Sequence, residues 1–317
     1  MIPKVSLQDR DRAVVLIREA CRTHGFFSIS DFGVDPYLFS DLEKSSREFF
    51  SQAQDEKMQI EMSRAGIAWR GYFPLGAELT SGRPDLKEGL YFGSEGPKGS
   101  IPLHGPNLFP NHPKELQVQV LRVMKELTGV GHTVMELIAL GLNLPTHYFR
   151  ADLTQDPLIL FRIFHYPAPN SSKEAIQWGV GEHTDYGLLT LLWQDENGGL
   201  EVKTPSGWTE VPPEKGTLIC NIGDMLDLMT GGLYRSTLHR VKNRSGKDRL
   251  SMPFFFDPGF FSHPKSIPGT PTVVPGASRW DGQDLHAFQG TYGEYLVKKV
   301  SKVFPGLATF SNPRSDN

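Results

Sequence analysis

Leu158-Ile159-Leu160-Phe161-Arg162-Ile163-Phe164-His165-Tyr166 opens the half of the chain that decides its architecture. The run is rich in branched and aromatic side chains. From it onward, similar short runs are separated by Gly, Pro, Asn and Asp at intervals of roughly ten residues. This spacing predicts strands over Leu158–Tyr166, Leu188–Trp193, Leu200–Lys203, Thr217–Ile222, Thr237–Val241 and Leu250–Phe256, the cadence of a β-sandwich or barrel. Side chains two apart in a strand share a face, so Arg162, Phe164 and Tyr166 line one side of the first strand and His165 the other. Both sides carry apolar residues, so alternation leaves open which looks inward.

Upstream the pattern is helical. Ala13, Val14, Ile17, Ala20 and Cys21 recur at helical spacing behind Asp9 and Asp11, whose carboxylates suit a helix start. Gly25–Ile29 reads as a strand, and Leu38, Leu42, Ser46, Phe49 and Phe50 mark a second amphipathic stretch. Residues 65–100 are rich in Gly, Pro and Ser with aromatics scattered among them, which in a compact protein suggests a binding wall. The longest helical pattern runs from Pro113 to Leu144, interrupted by Gly129 and Gly131. After a Pro-rich stretch reaching about Gly276, Thr291–Phe304 has the pattern of a closing helix. The expected organisation is an N-terminal helical and irregular flank (1–100), a long helical segment (101–152) and a mainly β core (153–317), forming one structural unit.

His183-Thr184-Asp185 is the sharpest chemical signal. In extended chain its imidazole and carboxylate project side by side, and one further histidine from a neighbouring strand completes a facial set of two imidazoles and a carboxylate. Such a set favours iron(II) and leaves coordination positions open. His239, in Ser236-Thr237-Leu238-His239-Arg240-Val241, supplies that third ligand, 56 residues downstream. His-x-Asp also arises by chance, and a single strand histidine is ordinarily a hydrogen-bonded core or surface residue. The conjunction with Arg249-Leu250-Ser251, ten residues beyond His239, gives the set its weight. There a guanidinium and a hydroxyl share one face. Burying an unpaired arginine costs roughly several kcal/mol, so a bound anion is a natural partner, its planar fork suiting a carboxylate. A structural salt bridge is the ordinary alternative. Tyr166 adds a phenol donor.

The chain has 317 residues, 38% of them hydrophobic and 11% aromatic, enough for a sizeable core. A net charge of −3 with no basic stripe gives no reason to expect nucleic acid or an anionic membrane as partner. Two distant cysteines exclude a disulfide framework and suit a reducing compartment. Without a signal pattern, a spanning apolar run or a C-terminal address in Arg314–Asn317, a cytoplasmic protein is expected.

These elements together resemble a known family. Gly181-Glu182-His183-Thr184-Asp185-Tyr186-Gly187, Asn221-Ile222-Gly223-Asp224, Ser236–Val241 and Arg249-Leu250-Ser251 are similar to the isopenicillin N synthase-like branch of the iron(II)/2-oxoglutarate dioxygenases. So are Glu19–Phe27 and Phe49-Phe50 near the N-terminus. The resemblance implies a double-stranded β-helix (jelly roll) core with flanking helices. It implies Fe(II) on His183, Asp185 and His239, with the distal carboxylate of 2-oxoglutarate on Arg249 and Ser251 and a further bond from Tyr166. It departs from the family at Phe164, where an Asn is frequent, and at Met1–Leu7, which leaves little room for the usual first strand.

The implied reaction consumes O2 and 2-oxoglutarate, releases succinate and CO2, and hydroxylates a small organic molecule. An iron oxidase of the same fold that uses O2 without 2-oxoglutarate is the alternative, and a non-catalytic jelly-roll ligand-binding module the second. Nothing nearby resembles the general base of a zinc hydrolase. Candidate substrate contacts are Trp69, Arg70, Tyr72 and Tyr91 in the irregular segment, Arg162 and Phe164 on the first strand, and Phe254 and Phe256 beyond the arginine. Aromatic residues suit stacking on a ring and Arg70 suits a substrate acid. Oligomeric state is not legible.

Overall fold

A computed structural model describes residues 2–80, 82–168, 178–271 and 285–307. Among the described residues twelve strands form two sheets. They are β1 (Lys4–Ser6), β2 (Phe26–Ser30), β3 (Gly71–Phe73), β4 (Glu88–Gly93), β5 (Leu158–Tyr166) and β6 (Val180–His183). The rest are β7 (Leu189–Gln194), β8 (Leu200–Thr204), β9 (Gly207–Glu210), β10 (Leu218–Ile222), β11 (His239–Val241) and β12 (Arg249–Asp257). The larger sheet runs β1-β2-β10-β7-β12-β5-β4-β3 and the smaller β6-β11-β8-β9. All pairings are antiparallel except β1 with β2. Side chains from both sheets line a common cavity, the jelly-roll arrangement.

The strand expected over Leu158–Tyr166 has those bounds, and the other five differ at their ends by one or two residues. Thr237 and Leu238 lie before β11, which begins at His239. Several elements carried no periodic signal: β1, β3, β4, β6, β9 and the short helix Asp224–Met229. The segment 65–100 is less irregular than its composition suggests, since β3 and β4 close one end of the large sheet. Met1–Leu7 does supply a first strand, of three residues, paired in parallel with β2. Residues 272–276 of the Pro-rich stretch and Arg314–Asn317 lie outside the described residues.

Among the described residues seven α-helices flank the sheets: α1 (Arg10–Thr23), α2 (Tyr37–Phe50), α3 (Gln54–Lys57), α4 (Glu115–Gly141), α5 (Tyr148–Asp152), α6 (Asp224–Met229) and α7 (Tyr292–Val303). Asp9 caps α1 by accepting the Arg12 N–H at 3.1 Å, and Ala13, Ile17, Ala20 and Cys21 are its buried stripe. Thr291 and Glu294 form a capping box at α7. The long α4 packs on the outer face of β5, β7 and β12, and α1 and α2 pack on α4. It is continuous through Gly129 and Gly131. Gly131 meets the sheet so closely that a Cβ there would stand 2.6 Å from the Phe256 ring. Among the described residues no helix is long and apolar enough to cross a membrane.

Candidate active site

His183 ends β6 and His239 begins β11, and the two are directly opposite in the antiparallel register. Their ring centroids are 4.1 Å apart. Each ring is tied by Nδ1 to a carbonyl two residues earlier: His183 to Gly181 at 2.8 Å, His239 to Thr237 at 3.1 Å. Donation from Nδ1 leaves the Nε2 lone pair of each facing inward. The two Nε2 atoms lie 3.7 and 3.6 Å from Asp185 Oδ1. The other carboxylate oxygen, Oδ2, accepts from Asn221 Nδ2 at 2.6 Å and from the Thr190 hydroxyl at 2.5 Å.

Protonation states match a metal-binding role. Burial and the neighbouring His239 pull His183 down to about 3, against a smaller opposing pull from Asp185. Burial alone would raise Asp185, but His239, His183, Asn221 and Thr190 together hold it below the usual carboxylate range. The group is therefore a neutral imidazole beside an ionised carboxylate, with one ligand atom from each of the three residues within 4.8 Å of the others. Two nitrogens and one oxygen, each oriented by its remaining polar atom, fit iron(II).

The cavity continues to β12 and β5, where Arg249 pairs with Tyr166 in register. Arg249 is fully buried. Its Nε donates to the Gly198 carbonyl and its Nη2 to Gln194 Oε1 at 3.1 Å, while Nη1 has no hydrogen-bond partner among the described residues. The guanidinium carbon lies 4.7 Å from the Tyr166 ring centre, and the Tyr166 hydroxyl is 3.3 Å from Ser251 Oγ. No ion pair to Arg249 forms among the described residues.

The pocket candidates divide. Arg162 and Phe164 line the cavity, on the face of β5 that carries Tyr166. His165 is on the other face, hydrogen-bonded to Glu88 at 2.8 Å and stacked on Phe50. Phe254 and Phe256 point away from the cavity: Arg249, Ser251, Pro253, Phe255 and Asp257 are the inward side chains of β12. Phe256 packs instead against α4, edge-on to His132. Arg70 is 2% exposed and serves the fold, donating to the carbonyls of Ser94, Gly105 and Leu103 at 2.7, 2.7 and 2.9 Å. Trp69 packs on Phe304, and the Tyr72 hydroxyl donates to Glu88, so neither lines the cavity. Tyr91 sits behind Arg162, its hydroxyl donating to Glu78 Oε1 at 2.6 Å.

Other residues at the site escaped the sequence reading. Glu78, Lys87, Thr190 and Asp257 line the cavity without belonging to a recognisable spacing, and Tyr186 lines it from within the quoted Gly181–Gly187 stretch. Asn221 stood within a stretch that carried the family resemblance, and that was its only signal.

Comparison with known proteins bears on this geometry directly. Residues 158–258 match the model of the 2OG-Fe(II) oxygenase superfamily, and residues 2–112 match that of the non-haem dioxygenase in morphine synthesis N-terminal region. A Dictyostelium discoideum protein described as a probable iron/ascorbate oxidoreductase is 49% identical, the alignment covering 92% of this chain and 88% of that one. The chain belongs to the 2OG-Fe(II) oxygenase superfamily. A 1-aminocyclopropane-1-carboxylate oxidase of the same organism is 40% identical over 94% of this chain and 91% of its own. A Neurospora crassa oxygenase solved with alpha-KG and thymine superposes with a TM-score of 0.80 at 26% identity, covering 95% of this chain and 96% of that one. This member is accordingly an Fe(II)- and 2-oxoglutarate-dependent dioxygenase with a jelly-roll core, acting with O2 on a small molecule.

Proposed function

We propose that His183, Asp185 and His239 hold the iron, that Arg249 and Ser251 with Tyr166 seat the distal carboxylate of 2-oxoglutarate, and that the enzyme hydroxylates a small organic molecule in the cavity beyond. The buried Nη1 of Arg249, which has no hydrogen-bond partner among the described residues while Nε and Nη2 each donate to one acceptor, carries this reading. A carboxylate there satisfies it, with the Ser251 and Tyr166 hydroxyls as further donors. When bound, iron and 2-oxoglutarate supply the oxidation of a C–H bond by O2, with loss of succinate and CO2.

The chain's own part is positioning. Asn221 and Thr190 orient the Asp185 carboxylate, the Gly181 and Thr237 carbonyls orient the two imidazoles, and Leu160, Phe164, Phe255 and Leu296 exclude water. No side chain has to serve as a strong base. Two free, buried cysteines support a reducing, cytoplasmic setting as part of the same reading.

Anaerobic addition of iron(II) and then 2-oxoglutarate tests it. The weak visible charge-transfer band of the chelate is expected in the wild type. In Arg249→Ala, 2-oxoglutarate affinity should fall at least about tenfold, since charge-assisted bonds contribute roughly 1.5–3 kcal/mol each. A band that persists unchanged in the variant removes Arg249 from the site. Stoichiometric succinate separates this chemistry from the oxidase chemistry for which the 1-aminocyclopropane-1-carboxylate relative is named.

A further inference from the structure

Among the described residues two guanidinium groups line the cavity, those of Arg162 and Arg249, and the 2-oxoglutarate seat uses one. Arg162 stands four residues before Tyr166 on the same face of β5. At about 3.3 Å per residue, about 13 Å of strand separates the position opposite Arg249 from Arg162. The Arg162 side chain is 12% exposed. Its guanidinium carbon lies 4.1 Å from the Tyr91 ring centre and 4.8 Å from that of Phe255. Its one ion pair among the described residues, Nη1 to Glu78 Oε1, spans 3.6 Å, too long for a hydrogen bond. The buried Nε has no hydrogen-bond partner among the described residues.

The nearby carboxylates are committed elsewhere. Glu78 Oε1 accepts the Tyr91 hydroxyl at 2.6 Å, and its Oε2 lies 2.9 Å from Lys87 Nζ. Asp85 Oδ2 is 2.5 Å from the same ammonium. Lys87 is thus engaged on two sides, whereas Arg162 is compensated in charge but not in hydrogen bonding. Burial pulls the Arg162 pKa down, but Tyr91, Glu78, Tyr186 and the metal-site Asp185 together raise it above its ordinary value. The guanidinium is therefore always charged, and it borders the triad.

We infer that the substrate is a carboxylic acid and that Arg162 seats its carboxylate edge-on, through Nε and the adjoining Nη2, with the Tyr91 and Phe255 rings steadying the fork. The inference rests on the reading of the triad and Arg249 given above, and makes Arg162 a specificity-determining residue. A planar two-donor edge matches a carboxylate and loses most of its advantage on a neutral amide.

The test is calorimetric, on the full chain loaded with Mn(II) as a redox-silent substitute and saturated with 2-oxoglutarate. L-Lysine, L-leucine, L-phenylalanine, hexanoate and benzoate are titrated at millimolar concentration, each against its own carboxamide. In the wild type at least one acid should bind about tenfold or more tightly than its amide, the scale of one charge-assisted bond. In Arg162→Met the preference should fall to within about twofold, while 2-oxoglutarate affinity stays unchanged. Arg162→Lys, which keeps the charge without the fork, should retain the fold and lose at least about threefold of the preference, and it carries the comparison if Arg162→Met does not fold. Amides binding as well as acids, a preference that survives both substitutions, or no acid binding at all overturns the inference. Failure of 2-oxoglutarate to bind the wild type would strike the Arg249 reading instead, and the acid–amide comparison, repeated without it, still decides Arg162.

Discussion

Asn221 Nδ2 donates to Asp185 Oδ2 at 2.6 Å, and this bond turns the opposite oxygen, Oδ1, toward His183 and His239. The orientation of the carboxylate is thus set from β10, a strand of the other sheet. Groups that orient a ligand typically matter 10- to 100-fold in metal affinity. Asn221→Ala is expected to weaken Fe(II) or Mn(II) binding by about that factor, read by titration, while leaving far-ultraviolet dichroism unchanged. Unaltered affinity would mean that the Thr190 hydroxyl holds Asp185 unaided.

Arg70 offers the opposite case, an arginine whose work is structural. It donates to three main-chain carbonyls contributed by Ser94, Leu103 and Gly105. Arg70→Ala leaves those acceptors unsatisfied, at about 1–3 kcal/mol for each that water does not reach, so a loss of about 3 kcal/mol or more is expected. Urea unfolding measures it. Substrate KM should stay within about twofold, because the site does not include Arg70; a selective rise in KM at unchanged stability would place it there.

The two glycines of α4 should respond in opposite directions. A Cβ on Gly129 meets nothing within 4 Å, whereas one on Gly131 meets the Phe256 ring at 2.6 Å. Gly129→Ala is therefore expected to stabilise by up to about 1 kcal/mol, through helix propensity. Gly131→Ala should destabilise by about 1–3 kcal/mol, through overpacking against β12. Thermal midpoints of the two variants decide; equal shifts would mean that the helix moves off the sheet without penalty.

Asp257 sets a pH dependence. Burial pushes its carboxyl from the ordinary 3.8 up to about 7, against the Tyr292 hydroxyl, which lowers it, and with Asp185, which raises it further. Between these values the folded protein holds a proton that the unfolded chain has released, so stability falls as pH rises through that window. The total is on the order of 4 kcal/mol, at 1.36 kcal/mol per pKa unit. In metal-free protein, Asp257→Asn should flatten the difference in unfolding free energy between pH 5 and pH 7.5 and be the more stable form at the higher pH. An unchanged slope would show that Asp257 ionises in the fold as it does in solution.

Much of the site follows from local stereochemistry. Residues two apart in a strand share a face whatever the rest of the chain does. That rule alone groups Arg162, Phe164 and Tyr166, aligns Arg249 with Ser251, and puts His165 on the other side. Applied consistently it also rejects Phe254 and Phe256 and selects Phe255, since only odd positions of β12 share the face of Arg249. The parity that aligns Arg249 with Ser251 runs on unbroken through Asp257 and turns the even pair out of the wall.

The sequence by itself determined the strand periods, the amphipathic helices and the two imidazoles and carboxylate of the candidate site at His183, Asp185 and His239, because each depends on a few consecutive bonds. Only the tertiary structure decided that Asn221 and Thr190 hold Asp185, and that Lys87 is engaged by Glu78 and Asp85 while Arg162 Nε has no hydrogen-bond partner among the described residues. It also decided that Arg70 turns away from the cavity. These contacts join residues from separate strands and loops. Their meeting is set by sheet order and register across the whole core, a long-range packing outcome that leaves no mark in local spacing.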